Sequence, residues 1–308
     1  MGGREHAQQD DPPPLEGSDS ALSPAALSPG LHFVATPIGT ARDITLRALD
    51  TLRAADVIAA EDTRVAKRLM EIHAIPLAGR PLLAYHDHNG ARMRPRLLAS
   101  LREGRRVAYV SDAGTPLVAD PGYQLARAAI EAGITVTAAP GPSAVLAALT
   151  VSGLPSDRFL FAGFPPPQAS ARRTWLERLD AAEATVVIFE NPRRVQGLLG
   201  ELCEVAGDGR AAVLCRELTK RFEDVQRGTL GSLRDAVRDL PPKGECVLLL
   251  DRAPPPQTSR AEIEAALRGA LDAMSLKAAA AEVAEAFGVA RRDVYQMALR
   301  LKGEADEG

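Results

Sequence analysis

The run richest in residues able to do chemistry is Val110-Ser111-Asp112-Ala113-Gly114-Thr115-Pro116-Leu117-Val118-Ala119-Asp120-Pro121-Gly122. Its glycine and proline residues predict a rigid loop whose backbone can approach a ligand closely. Asp112 and Asp120 would accept hydrogen bonds from ribose hydroxyls or an amino group. Taken alone, the same run also describes a turn with capping aspartates. Three further polar clusters follow short apolar runs: Pro37-Ile38-Gly39, Glu61-Asp62 and His86-Asp87-His88-Asn89. A second concentration is Phe189-Glu190-Asn191-Pro192-Arg193-Arg194, with Cys215-Arg216-Glu217-Leu218-Thr219-Lys220 and Lys243-Gly244-Glu245. Buried strands rarely end in so many charges without partners, since an unpaired buried charge is costly. An ion-pair network between neighbouring strand ends is the structural alternative.

Several chemistries are excluded. A nicotinamide-type site needs G-x-G-x-x-G after the first strand, and only Gly39 is present there. GxxxxGK[ST] is missing, as is the nucleophile elbow GxSxG, which removes P-loop nucleotide hydrolysis and weighs against an α/β-hydrolase. His86 and His88, two apart on a loop beside Asp87, are too few for a metal centre, and none is predicted.

These loops need elements to hold them. Apolar runs at 31–36, 56–60, 82–85, 106–110 and 134–138 predict strands, with helices after Asp43 as cap, from Glu61-Asp62 to Ile72, and over 91–103 and 122–132. Pro140-Gly141-Pro142-Ser143 opens another helix. Such alternation implies βαβ units and a mostly parallel sheet, with a cleft outside the carboxyl ends of its strands. After Ser152-Gly153-Leu154-Pro155-Ser156 a second α/β block is predicted: strands near 159–163, 185–190, 211–216, 222–227 and 246–250, helices near 170–181, 193–206 and 231–239. Strands 211–216 and 222–227 read as an antiparallel hairpin, so this sheet is expected to be mixed. Ala253-Pro254-Pro255-Pro256 reads as a stiff linker. Beyond it, helices over 276–288 and 291–302 around a Gly-containing turn fit a helix-turn-helix, or a plain helical hairpin. The second of these carries Arg291, Arg292, Arg300 and Lys302 against Asp293, which suits phosphate contact.

The predicted organisation is therefore a disordered tail (1–29), an N-terminal α/β domain (30–152), a second α/β domain (153–252), and a linker with helix-turn-helix (253–308). The tail carries a net charge of −4 of the chain's −3, leaving a near-neutral body that argues against whole-surface nucleic-acid binding. Basic residues are mostly Arg: only five of 37 are Lys. Cys203, Cys215 and Cys246 form no CxxC pair and read as reduced core thiols of a cytoplasmic protein. Residues 132–156 are uncharged and long enough to span a bilayer, yet Gly133, Pro140, Gly141, Pro142, Gly153 and Pro155 divide them, so no span is predicted. An acidic, Pro-containing beginning does not read as a signal peptide.

In order, ATPIGTARDITLRAL, IAAEDTR, HDHN, VSDAGTPLVADPG, PGPSA, GLPSDRF, RELTK and KGE resemble the tetrapyrrole-methylase fold of S-adenosylmethionine enzymes. Within it they resemble the ribosomal RNA small-subunit methyltransferase I family, which methylates a cytidine 2′-hydroxyl in the decoding region of 16S rRNA. The resemblance covers about 31–250, and the terminal helix-turn-helix is similar to one found in many members. It implies S-adenosyl-L-methionine as cofactor, held by Pro37, Gly39, Ser111, Asp112, Ala113, Gly114, Thr115, Val118, Ala119, Asp120, Pro140, Gly141, Pro142, Ser143 and Ala144. Gly244 and Glu245 would close that site from the second domain. The resemblance also implies the small ribosomal subunit as partner, no membrane, and a homodimer. Porphyrin-pathway members carry G-x-G-x-G-D after strand one, where this chain has Thr36-Pro37-Ile38-Gly39-Thr40; that favours RNA over tetrapyrroles. At Phe189, before Glu190, relatives often have Tyr. A 2′-hydroxyl is a poor acid, so a proton acceptor is expected among Glu61, Asp62, His86 and His88. RNA contacts are expected from Arg92, Arg94 and Arg96, within a stretch holding six Arg against Glu103, and from Arg193, Arg194, Arg216, Lys220 and Arg221. A solvated face in an Arg-rich chain is the alternative. A tetrapyrrole methyltransferase and a non-catalytic ribosome-binding module are the competing functions.

Overall fold

The apolar runs of the first half become β1 (Gly30–Val34), β2 (Val57–Ala60), β3 (Leu82–Ala84), β4 (Arg106–Val110) and β5 (Val136–Ala139). In this computed structural model, which describes residues 27–253 and 260–306, they form one all-parallel sheet in the order β3-β2-β4-β1-β5. Parallel neighbours need crossovers, supplied by α1 (Leu46–Ala54), α2 (Thr63–Ile72), α3 (Gly90–Arg102) and α4 (Tyr123–Glu131). Leu31, Phe33, Val107 and Tyr109 pack under Leu97, Leu101 and Leu125 of α3 and α4. On the opposite face Val34, Ile58, Ala108 and Val110 meet Leu52, Ala66 and Met70 of α1 and α2. Coverage on both faces is why these strands read as continuous apolar runs instead of alternating ones. The expected Asp43 cap is corrected: Ala41–Asp43 forms a short 3-10 turn, and Thr45 caps α1 by accepting the Ala48 N–H at 3.2 Å.

The second half forms β6 (Phe159–Gly163), β7 (Thr185–Glu190), β8 (Ala211–Arg216), β9 (Asp224–Thr229) and β10 (Cys246–Leu250), in the order β6-β7-β10-β8-β9. Only β6 and β7 are parallel; the other three pairings are antiparallel, including the β8–β9 hairpin. Val186, Ile188, Leu214 and Leu248 face α6 (Ala169–Asp180), α7 (Pro192–Ala206) and α8 (Leu230–Asp239). Their neighbours Val187, Val213, Cys215 and Leu249 face α5 (Ala144–Ser152), through Val145, Ala148 and Leu149. Helix α5 follows the first sheet yet packs on the second, burying Val145, Ala148 and Leu149 there while Leu146 stays 55% exposed. Among the described residues no helix is long and apolar enough to cross a membrane.

The chain divides into a compact unit up to Arg252 and another starting at Ala253. The latter contains α9 (Arg260–Ala273), α10 (Leu276–Ala286) and α11 (Arg291–Asp306), packed through Leu267, Ala279, Ala280, Val283, Val294 and Ala298. Gly288, at φ +63°, makes the turn before α11, and Arg291, Arg292, Arg300 and Lys302 are exposed. The expected acidic tail, apart from residues 27–29, and Pro254 to Pro256 of the expected linker lie outside the described residues. Cys203, Cys215 and Cys246 are free and buried.

Candidate functional site

The carboxyl ends of β1, β2 and β4 deliver their loops to one edge of the first sheet. Thr36 and Gly114 exchange both backbone hydrogen bonds (2.9 and 3.0 Å), locking the loop after β1 to the loop after β4. The latter is held from behind: buried Tyr109 donates its hydroxyl to the Pro121 carbonyl at 2.8 Å, and the Thr115 hydroxyl donates to the Pro142 carbonyl at 2.9 Å. Within it Leu117 and Ala119 are left-handed, at φ 71° and 62°. Side chains tolerate that conformation only where surrounding contacts impose it.

The second sheet contributes an edge of its own. Because β10 pairs with both β7 and β8, Cys246 lies between Glu190 and Arg216. The turn after β8 puts Glu217 and Thr219 at φ 51° and 64°. Glu217 accepts from the Glu245 N–H and from Lys220 Nζ, both at 2.9 Å, which holds its carboxyl below its usual range. Gly244 sits at φ +84°, where a Cβ would lie 2.2 Å from Glu217 Oε1. The two edges meet at Thr40, whose N–H donates to Thr219 Oγ1 at 3.2 Å and whose hydroxyl donates to the Thr219 carbonyl. A Cβ on Gly39 would lie 2.5 Å from Lys220 Cγ, so a bare backbone is needed for this approach.

Two cavities result. The first, about 350 Å³, receives Ala113, Gly114, Thr115, Val118, Ala119, Asp120, Ser143 and Ala144 from one lobe, and Gly244 and Glu245 from the other. Ile38, Phe164, Phe189, Glu190, Asn191, Pro192, Cys246 and Val247 also line it, although none was assigned to the cofactor from sequence. Glu190 and Asn191 had a signal, the charged end of an apolar strand; Phe164 had none. The second, about 550 Å³, is lined by Pro37, Gly39, Ser111 and Asp112, expected at the cofactor, together with Asp62, Arg64, Val65, Arg68, Leu69 and Ile72. Pro140, Gly141 and Pro142 line neither cavity and act as backing: a Cβ on Gly141 would lie 3.0 Å from the Ala35 Cβ.

Carboxylates dominate the electrostatics. Burial pushes Asp120 up to about 6; the Ser111 hydroxyl opposes this, while Glu61 and Asp112 add same-sign repulsion. Asp120 forms no salt bridge among the described residues. Glu61 is also raised, by burial first and then by Asp112. Asp62 is held down at about 2 by Arg64, whose Nε and Nη2 reach its carboxylate at 3.0 and 2.5 Å. Of the four candidate proton acceptors, Asp62 lines the second of these cavities, and Glu61, His86 and His88 line neither. The His86 backbone N–H donates to Asn89 Oδ1 at 3.0 Å, its ring Nδ1 is buried with no hydrogen-bond partner among the described residues, and its ring lies 5.9 Å from that of His88. No cluster of three or more His, Cys, Asp or Glu among the described residues suits a metal ion.

The basic residues divide. Arg92 and Arg96 are exposed on α3 and Arg94 is half-buried; none of the three forms a salt bridge among the described residues. Arg193 is exposed at the start of α7. Arg194 pairs with Glu190 at 3.2 Å, Arg216 with Asp224 at 3.9 Å, and Lys220 with Glu217 and Glu245, so the ion-pair network is present at this edge. Arg221 lies over the Phe222 ring at 5.4 Å.

Residues 30–234 match the family model of Tetrapyrrole (Corrin/Porphyrin) Methylases, and residues 257–302 match that of the RsmI C-terminal HTH domain. The chain is 48% identical over 284 residues to Ribosomal RNA small subunit methyltransferase I of Mesorhizobium japonicum, covering 92% of this chain and 95% of the relative. Among solved structures it is similar to the methyltransferase CobJ, with TM-score 0.57 and 21% identity over 73% of this chain and 94% of that one. It is also similar to Uroporphyrin-III C-methyl transferase from Thermus thermophilus complexed with S-adenyl homocysteine, with TM-score 0.51 and 19% identity, covering 72% and 97%.

Proposed function

Since the chain belongs to the ribosomal RNA small subunit methyltransferase I family, we propose that it transfers a methyl group from S-adenosyl-L-methionine to the ribose 2′-hydroxyl of a cytidine in the decoding region of 16S rRNA, in the cytoplasm. The observation that carries this reading is the first cavity, which the Gly- and Pro-rich turns of one lobe and the Gly244-Glu245 turn of the other line together.

The lining suits that donor. Ile38, Val118, Phe164, Phe189 and Val247 offer apolar wall to a nucleoside. Asp120, which forms no salt bridge among the described residues, complements a positively charged group. Ser143 caps α5 with no side-chain capping bond, leaving the first N–H groups of the helix available to a carboxylate. The S-adenyl homocysteine of the Thermus thermophilus neighbour agrees with this choice.

When bound, the donor supplies a methyl carbon activated by its sulfonium. The residues of this chain align the reactants and handle the proton. A Cβ on Gly114 would lie 3.3 Å from Ile38 Cγ2, so its absence keeps the cavity wall thin. The Thr36–Gly114 and Thr40–Thr219 contacts fix the wall, so alignment needs little rearrangement. Glu61, Asp62, His86 and His88 stand at the same sheet edge as proton acceptors, with Glu61 raised towards working pH and Asp62 facing the second cavity.

Transfer of labelled methyl to small ribosomal subunits, to free rRNA and to a corrinoid tests the proposal. Label should enter the RNA and remain in alkali-resistant dinucleotides, because a 2′-O-methyl group blocks alkaline cleavage. Label only in the corrinoid, or in alkali-labile RNA, refutes it. Among Glu61→Gln, Asp62→Asn, His86→Ala and His88→Ala, loss of the proton acceptor should lower turnover by about 10²–10⁴-fold with cofactor affinity retained. Unchanged turnover in all four would leave alignment as the only source of catalysis.

A further inference from the structure

The second cavity lies across a thin wall from the first, and the same two loops build that wall. Ile38 lines the first cavity while its neighbours Pro37 and Gly39 line the second. Likewise Ala113, Gly114 and Thr115 face the first, and Ser111 and Asp112 the second. The far side of the second cavity is α2, which presents two parallel stripes. Val65, Leu69 and Ile72, at i, i+4 and i+7, form an apolar one, with Val65 40% and Ile72 50% exposed. Arg64 and Arg68 form a basic one, with side chains 88% and 74% exposed; Arg64 holds Asp62 at 2.5 Å and Arg68 reaches Glu71 at 3.7 Å, exposed pairs that an incoming phosphate can replace. They stand one turn apart, ~6 Å along the axis, comparable to the separation of successive phosphates on a strand. On the facing loop Asp112 offers a carboxylate acceptor, whose Oδ1 also takes the Asp62 N–H at 2.9 Å, while the Asp62 carboxylate, at the start of α2, is engaged by Arg64.

A nucleoside monophosphate matches all three features: an anion for the arginines, a flat apolar face for the stripe, and hydroxyl and amino donors for the Asp112 carboxylate. At about 550 Å³ the cavity is large enough for one unpaired nucleotide, and RNA is read through such splayed-out nucleotides. We infer that the second cavity seats the target nucleotide, with its flanking phosphates on Arg64 and Arg68, its base against Val65, Leu69 and Ile72, and its sugar towards the wall shared with the first cavity. This inference rests on the RNA-methyltransferase reading. It makes Arg64 and Arg68 acceptor-binding residues with no part in holding the donor.

The test uses the full chain with the paired substitutions Arg64→Ala and Arg68→Ala, and the charge-keeping pair Arg64→Lys and Arg68→Lys as a control. Methyl transfer to small ribosomal subunits is measured across salt concentrations, and S-adenosylmethionine affinity by calorimetry. The Ala pair should lower kcat/KM for the subunit roughly 10- to 100-fold and reduce the log–log salt slope by about 1.4, with cofactor affinity within about twofold. The Lys pair should keep the salt slope. Unchanged kcat/KM and slope in the Ala pair would overturn the inference, as would a parallel fall in cofactor affinity, which would assign the cavity to the donor. Should the unsubstituted protein transfer no methyl to RNA, the functional reading has failed. Anisotropy with a cytidine-containing single-stranded oligoribonucleotide then decides the cavity alone: weaker binding by the Ala pair supports it, equal binding overturns it.

Discussion

Asp120→Asn should make the ligand-free protein more stable at pH 8 while weakening its grip on the donor. Asp120 is moved from the ordinary 3.8 to about 6, chiefly by burial, and forms no salt bridge among the described residues. An unscreened shift of that size costs ~3 kcal/mol when the group is fully ionised. Solvent reaches part of this carboxyl, so screening reduces the figure to ~1–1.5 kcal/mol. The sign follows from linkage. Between about pH 4 and 6 the folded protein holds a proton here that the unfolded chain has lost, so this group's contribution to stability falls as pH rises through that window and is level above it. Asn mimics the neutral acid. The variant should therefore melt about 2–5 °C above the parent at pH 8, and the difference should shrink below about pH 6 and vanish below about pH 4. Donor affinity, by calorimetry, should decline in the parent as pH falls below about 6 and be nearly flat in the variant. A variant less stable than the parent at pH 8, or a difference that ignores pH, would refute the assignment of an uncompensated buried charge.

Two more substitutions probe the walls of the first cavity. Tyr109→Phe removes the donor to the Pro121 carbonyl, leaving that acceptor unsatisfied beside a buried ring; a loss of ~1–2 kcal/mol is expected, read from the urea midpoint at constant m. Gly244→Ala places a Cβ 2.2 Å from Glu217 Oε1 at φ +84°, whereas Gly207→Ala has a similar φ of +81° with no atom within 4 Å. The first should cost ~2–3 kcal/mol and the second ~1 kcal/mol; equal losses in urea unfolding would deny any role to the Glu217 contact.

Much of the scaffold was readable in the sequence because the central strands of both sheets are covered on both faces. Runs such as Thr185–Glu190 and Cys246–Leu250 then stand out without any alternation to decode. β9 shows the limit: its predicted span of 222–227 starts two residues early, since it is an edge strand whose Arg227, Gly228 and Thr229 are exposed and carry no apolar signal. The loop from Ser111 to Asp120 was legible through its Gly and Pro content, which local geometry demands. Its division between two cavities was not, because residue type and spacing do not say which way a loop residue faces. Glu190, whose side chain is 2% exposed, and Phe164 reach the first cavity through sheet order. That order depends on the last strand inserting between two earlier ones, a long-range pairing with no local trace. Thr45 in place of Asp43 is the opposite case, a choice between neighbouring caps decided by one 3-10 turn.

The central strand β10 has a further consequence. Val247 and Leu249 pack on one side, Leu248 and Leu250 on the other, so sliding the strand by one residue would swap apolar for apolar and meet little hydrophobic resistance. Alignment must be enforced at its entrance, where the Glu217 N–H donates to the Glu245 carbonyl at 2.9 Å, the Glu245 N–H donates to Glu217 Oε1, and Lys220 bridges both carboxylates. The groups that border the cavity are thus also the pins that stop the strand from slipping. Damage there should surface first as misfolded chains and only afterwards as poor catalysis.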